Sequence, residues 1–313
     1  MVKIESKDYS VITDEGNEIR CGIKGRFKKI YELKRDKLTV LDIASVGDFV
    51  KFDMNEDGTG IIYEIEERRN YLSRKSPKLK GVSTRGERLE QIIAANIDTL
   101  FIVTSIKHPD FNNRVVDRLI VTAFSSGIDV KIIINKIDLD NKNEVEQWKK
   151  LYEKIGYKVF LTDCINKIGI EKLHDELLDK VNVFWGSSGV GKSTILNGLF
   201  PSFNFKVGEV SDYSQKGTHT TVTSVMKKVD EKTYLVDTPG LREIDPFGIK
   251  KEDLGHYFIE FLPFINECKF NTCTHHHEPG CEIIEQVENG NIDERRYISY
   301  LNMLETIEDD IIY

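Results

Sequence analysis

Period-two alternation of apolar and polar residues marks the first 70 positions. It recurs at residues 21–28, 38–43, 47–53 and 61–66, and a turn-forming stretch at 55–60 separates the last two. A series of short strands so closely spaced predicts a small barrel of the oligonucleotide-binding (OB) type, with an SH3-like barrel as the alternative. Residues 69–88 show no period and contain Ser, Pro and Gly, which predicts a linker. From residue 90 the pattern changes. Unbroken apolar runs at 99–104, 130–134, 158–161, 181–185 and 234–236 have the length of strands buried on both faces. Helical periods at 114–124, 144–155 and 170–180 lie between several of them. That alternation predicts a parallel sheet covered by helices. After residue 245 the pattern is helical, and a last helix near 293–309 carries Tyr297, Tyr300, Leu301, Leu304 and Ile307 on one face. The chain therefore reads as multi-domain: an all-β OB-type barrel at 1–70, a linker at 71–89, an α/β domain at 90–245 and an α-helical domain at 246–313.

Composition narrows the compartment and the partners. With 40% apolar and 31% charged residues, the 313-residue chain has the balance of an ordinary globular protein. Its apolar runs, such as 99–105 and 129–135, are far short of a membrane span. Residues 1–10 lack a secretory core, so a cytoplasmic protein without a membrane partner is expected. The net charge of −8 is unevenly spread, because residues 20–37 hold eight Lys/Arg against two acids and 68–88 hold eight against one. Basic stretches on an otherwise acidic chain point to a polyanionic partner, with solvated loops as the alternative.

The sharpest motif is Gly186-Ser187-Ser188-Gly189-Val190-Gly191-Lys192-Ser193, a complete phosphate loop between an apolar strand and the helical stretch 193–200. Its glycines allow backbone N–H groups to wrap phosphates, and the helix N-terminus adds partial positive charge. Lys192 is expected to bridge the β- and γ-phosphates, Ser193 to ligate Mg²⁺, and Thr194 to lie within reach of the nucleotide. Asn135-Lys136-Ile137-Asp138 follows a strand directly. Asp138 can accept from both N1–H and the exocyclic amine of guanine, a donor pair that adenine lacks, so GTP and GDP are expected rather than ATP. Asp237-Thr238-Pro239-Gly240 closes another strand; Asp237 is expected to hold Mg²⁺ through water and the Gly240 N–H to sense the γ-phosphate. A second metal is signalled by Cys268-x₄-Cys273-x-His275-x₅-Cys281. Three thiolates and one imidazole suit a closed, structural Zn²⁺ site, one per chain. On spacing alone His276 and His277 compete with His275.

The motif order is rotated. Small GTPases place the phosphate loop first and the guanine-reading motif later, whereas here Asn135–Asp138 precedes the phosphate loop, which precedes Asp237. A parallel sheet tolerates such a permutation if the old termini lie close together. A basic barrel, Ala94-Ala95-Asn96-Ile97-Asp98, the rotated motifs and a terminal knuckle together resemble the RsgA family of ribosome-small-subunit-dependent GTPases over nearly the whole chain. The resemblance implies a GTP hydrolase stimulated by the small (30S) ribosomal subunit, a late assembly factor that binds 16S rRNA near the decoding region. It also implies His275 as the fourth zinc ligand. A monomer is expected. A nucleotide-gated module on another RNA is the alternative.

Two positions depart from the general GTPase pattern. The loop that offers a backbone contact to the guanine carbonyl reads Thr162-Asp163-Cys164, so the contacting residue is open. Leu241 stands where Ras-like enzymes place a water-orienting glutamine, a substitution the family shares. The catalytic candidate is then His219, in Gly217-Thr218-His219-Thr220-Thr221, where Thr220 or Thr221 is expected to ligate Mg²⁺. Gly189 has no side chain with which to hold K⁺, so no strong K⁺ requirement is expected.

Overall fold

The computed structural model describes residues 1–5, 8–25, 43–75, 90–203, 205, 224–237 and 248–307. The expected strand at 38–43 lies almost wholly outside these residues, as do 26–37 and 76–88 of the basic stretches. In the N-terminal part, β1 (Lys3–Glu5), β2 (Asp8–Ile12), β3 (Glu18–Ile23), β4 (Val50–Met54) and β5 (Gly60–Ile65) form. β2 pairs antiparallel with β3, and β5 lies between β3, its parallel neighbour, and antiparallel β4. Their inward residues Val11, Cys21 and Ile62 join Met1 and Ala44 in a small core of their own. At Gly60 a Cβ would sit 2.6 Å from Cys21 Sγ and 2.7 Å from the Phe52 ring, so a side chain is excluded there. The strand expected at 21–28 begins three residues earlier, at Glu18. Residues 71–75 are not linker. They form β6 (Tyr71–Lys75), which pairs antiparallel with β7 (Glu90–Ala95). Tyr71-Leu72-Ser73-Arg74-Lys75 turns only Leu72 fully inward among its apolar residues, too little to register as a period.

The α/β part runs β8 (Thr99–Ser105), α1 (Asn113–Ser125), β9 (Asp129–Asn135), α2 (Glu144–Lys154), β10 (Lys158–Thr162), α3 (Ile170–Asp175), β11 (Val181–Trp185), α4 (Lys192–Leu199), β12 (Val225–Lys228) and β13 (Tyr234–Asp237). Strands β10, β9, β8, β11 and β13 are parallel in that order, and β12 is antiparallel on β13. One face packs Leu100, Ile102, Ile132 and Ile134 against Leu119, Ile120 and Tyr152 of α1 and α2. The other packs Phe101, Val103 and Ile133 against Leu173 of α3 and Ile195 and Leu199 of α4. Burial on both faces is why these strands read as unbroken apolar runs.

β12 also pairs with β1, through Lys3 and Val225, so the N-terminal strands extend the central sheet to eleven strands. The Asn96 turn fixes this junction. Asn96 is buried at φ +54°; its Oδ1 accepts from Arg69 N at 2.9 Å and its Nδ2 donates to Gly47 O at 3.0 Å. Asp98 pairs with Arg69 at 2.6 Å and accepts from Val181 N at 2.8 Å. Gly47 has φ +93°, and a Cβ there would lie 2.0 Å from Ala95 O.

The C-terminal part begins with 3₁₀ turns at Lys251–Tyr257, Ile259–Phe261 and Ile265–Glu267, followed by α5 (Glu282–Glu288) and α6 (Glu294–Thr306). Asp293 caps α6 by accepting from Arg295 N. The helix ends at Thr306, short of 309, and its buried face includes Arg296 and Ser299 beside Tyr300, Met303 and Leu304. This core takes in Val121 of α1, which seats the helical part on the α/β part. No helix among the described residues is long and apolar enough to cross a membrane.

Candidate nucleotide site and metal knuckle

The C-terminal ends of the parallel strands carry the nucleotide motifs. After β11 the chain turns tightly: a Cβ on Gly186 would sit 2.1 Å from Val103 O, Gly189 has φ +83°, and Gly191 has φ +100°. Only glycine meets those demands, so the loop backbone rather than side chains faces the site. Lys192 Nζ donates to the carbonyls of Gly186 and, at 3.1 Å, Ser187. Ser193 is half-buried and Thr194 exposed in the first turn of α4.

Asn135, the last residue of β9, is buried at the junction of three segments. Its Nδ2 donates to Val190 O of the phosphate loop at 2.9 Å, and its Oδ1 accepts from Thr162 Oγ1 at 2.9 Å and Cys164 Sγ at 3.5 Å. Burial pushes the Cys164 thiol up to about 11, so it remains a protonated donor. Lys136, at φ +60°, donates from Nζ to Gly189 O at 2.7 Å and to His108 O. The 186–193 loop and the Asn135–Asp138 motif thus interlock through side chain to backbone bonds, and Asp138 is left exposed on the turn Ile137–Leu139. β13 runs beside β11, with Val236 opposite Val183, so the backbone of Asp237 arrives at the same sheet edge. Thr238 to Gly240, Leu241, and His219 with Thr220 and Thr221 lie outside the described residues.

A family model described as RsgA GTPase matches residues 65–247. The chain belongs to the RsgA GTPase family. The protein named small ribosomal subunit biogenesis GTPase RsgA in Phocaeicola vulgatus is 39% identical over 312 residues, 99% of this chain and 96% of that one. Its namesake in Chlorobaculum parvum is 37% identical over 313 residues, 99% and 97% of the two chains. Among solved structures, YjeQ from Thermotoga maritima matches with a TM-score of 0.76 at 30% identity, over 97% of this chain and 95% of that one. YloQ, described as a circularly permuted GTPase, matches with a TM-score of 0.72 at 25% identity, over 97% and 92%.

The chain also gathers its cysteine–histidine motif. One ligand atom from each of Cys268, Cys273, His275 and Cys281 lies within 4.8 Å of the others. His275 presents Nδ1, 3.5 Å from Cys268 Sγ and 3.4 Å from Cys281 Sγ, while its opposite edge packs on Gly255, where a Cβ would approach to 3.0 Å. His276 and His277 are exposed, and their N–H groups donate to Glu278 Oε2 at 3.0 and 3.1 Å. Burial disfavours the Glu278 charge, but these donors and the Thr274 N–H and hydroxyl on Oε1 hold its carboxyl well below the usual range. Burial pushes the Cys273 thiol up to about 12. Three thiols and an imidazole, buried or half-buried and within 4.8 Å of one another, fit a tetrahedral cation such as zinc. α6 secures the knuckle: Tyr297 and Tyr300 donate to the carbonyls of His275 and Thr274 at 2.8 and 2.6 Å.

Sequence reasoning missed the His108 carbonyl as a partner of Lys136. It also missed two carboxylates, Asp140 and Asp163, that shape the base-side loops. Each works through backbone hydrogen bonds, which leave no residue-type signature at motif spacing.

Proposed function

We propose that this chain hydrolyses GTP to GDP and phosphate and acts as a late maturation factor of the small ribosomal subunit, which stimulates its turnover. The observation that carries the nucleotide half is Asn135, whose side chain ties the phosphate loop to the base-side loops in spite of the rotated order. The names of its RsgA relatives support the ribosomal half. On this reading the backbone of 186–194 and Lys192 hold the phosphates, and Asp138 reads the guanine amine and N1–H. The Cys164 N–H, which has no partner among the described residues, donates to the guanine carbonyl. Ser193, Asp237 and Thr220 or Thr221 would hold Mg²⁺, whose charge offsets that of the phosphates. Gly240 senses the γ-phosphate, and His219 orients the attacking water. Zn²⁺ in the Cys268, Cys273, His275 and Cys281 set is structural, because four protein ligands leave no open position. The N-terminal strands act as an OB-type barrel on 16S rRNA near the decoding region, and the chain works as a cytoplasmic monomer.

The test is GTP turnover with and without purified small subunits, with large subunits and ATP as controls. Turnover should rise only with small subunits and GTP. In the same assay His219→Ala should lower stimulated turnover by roughly 10²-fold, the scale of a positioned acid–base group. Equal turnover with and without small subunits would remove the ribosomal half of the proposal.

A further inference from the structure

We infer that Asp140 and Asp163 are positioning residues for guanine recognition, each fixing the loop that presents one of the two contacts to the base. The inference rests on the guanine reading above and adds residues that neither touch the base nor belong to its motif.

Asp140 lies two residues beyond Asp138. Its Oδ1 accepts from Lys142 N at 3.2 Å and Glu144 N at 3.1 Å, and its Oδ2 from Val145 N at 3.0 Å. The residue at the helix cap, Asn143, is left-handed at φ +57° and gives α2 no side-chain cap. Asp140 therefore takes over the capping, and its negative charge faces the positive end of α2. On the other side of Asp138, Lys136 is held by Gly189 O and His108 O, and the turn closes through Leu139 N to Lys136 O at 3.0 Å. Asp138 is thus suspended between two anchored residues, one bound to the phosphate loop and one to α2.

Asp163 builds the second loop in the same way. It is 1% exposed; its Oδ1 accepts from Ile165 N at 2.9 Å and Asn166 N at 3.2 Å, and its Oδ2 from Asn166 Nδ2 at 2.5 Å. Its backbone exchanges bonds with Ile168 at 3.1 and 2.9 Å. Gly169, at φ +78°, closes the loop where a Cβ would lie 2.1 Å from Leu161 O. The amides of Asp163, Ile165, Asn166 and Ile168 are consumed within the loop. The Cys164 N–H, two residues beyond the Asn135-bound Thr162, has no partner among the described residues and is the donor offered to the base. Burial opposes both carboxylate charges, yet the gathered N–H groups hold both carboxyls below their usual range, so the turns stay ionised at neutral pH. Loops fixed before the ligand arrives lose less entropy on binding.

Binding of nucleotide diphosphates to the full chain tests this. The probes are GDP, inosine diphosphate, which lacks the exocyclic amine, 6-thioguanosine diphosphate, which keeps N1–H and the amine but replaces the 6-oxygen with a poorly accepting sulfur, and ADP. Asp140→Ala should shrink the preference for GDP over inosine diphosphate about tenfold, the worth of one hydrogen bond to a charged group, and change the preference for GDP over 6-thioguanosine diphosphate much less. Asp163→Ala should do the reverse. Where an alanine variant does not fold, Asp140→Asn or Asp163→Asn replaces it. The amide keeps an acceptor without the charge, and the same preference should shrink about threefold. Folded variants that melt at lower temperature but keep native base preferences would overturn the inference. A native chain that binds ADP as tightly as GDP would instead overturn the guanine reading itself.

Discussion

At Gly191 the backbone φ is +100°, and a Cβ would stand 2.3 Å from Asn135 Nδ2. Gly191→Ala therefore imposes two costs. The left-handed conformation costs a residue with a Cβ about 1–2 kcal/mol, and displacing the Asn135 amide strands its 2.9 Å bond to Val190 O, about 1–3 kcal/mol for a buried partner. GTP and GDP should both bind on the order of 10²-fold more weakly, and titration of the variant with either nucleotide checks it. Unchanged affinity would mean that the loop relaxes freely around a side chain. The glycine spacing was legible in the sequence because the loop's chemistry is local. The dependence of Gly191 on Asn135 was not, since Asn135 reaches the loop through its bond to Val190, 55 residues away, and the motif order is rotated.

At the level of elements, strands buried on both faces and the helices between them declare themselves, because continuous apolar runs and 3.6-residue periods are properties of one segment. β6 and the β1–β12 pairing do not, because each depends on a partner strand distant in sequence. The helix expected at 170–180 shows the limit from the other side: α3 ends at Asp175, and the left-handed φ of +56° at Asp179 turns the chain into β11. The C-terminal knuckle is an element only in combination, since its 3₁₀ turns are too short to be stable alone. Its backbone hangs from Tyr297 and Tyr300 on α6, beside four side chains that could hold a metal ion. Elemental analysis should find one Zn²⁺ per chain. Cys273→Ser, or chelation, should expose the amides of 248–307 to hydrogen exchange while those of β8, β9 and β11 stay protected, because zinc binding is coupled to local folding. Acid should release the metal, as protons compete for thiolates that burial already makes hard to ionise. A metal-free chain with full protection of α6 would contradict the assignment.

Across the whole molecule, the least expected residue is Arg296. It is 1% exposed, and its guanidinium forks between Asp117 of α1, at 2.6 Å through Nη1, and Glu260, at 2.6 Å through Nε and 3.2 Å through Nη2. Asp117 also accepts from Tyr152 of α2 at 2.8 Å, and Asn113 of α1 donates to Ser299 of α6 at 3.0 Å. Nearby, the Arg295 guanidinium lies 4.6 Å from the centre of the Trp148 ring. The C-terminal helical part is thus clamped to α1 and α2, the helices that flank strand β9. No sequence pattern announces this, because Asp117 and Arg296 stand 179 residues apart and each alone looks like a surface charge. Removing one partner of such a group strands the others in a dry site at a cost of about 3–5 kcal/mol, whereas an apolar replacement of the whole group is often neutral. Arg296→Met should therefore lower stability by about that amount, with protection lost first in α6. Arg296→Lys should recover little, because an ammonium cannot fork between two carboxylates. Adding Asp117→Leu, Glu260→Leu and Tyr152→Phe to Arg296→Met, which removes the whole polar group, should restore most of the melting temperature. If the quadruple variant melts as low as Arg296→Met alone, the clamp acts through the packing of the guanidinium on Phe258, 4.6 Å from the centre of its ring, rather than through the ion pairs.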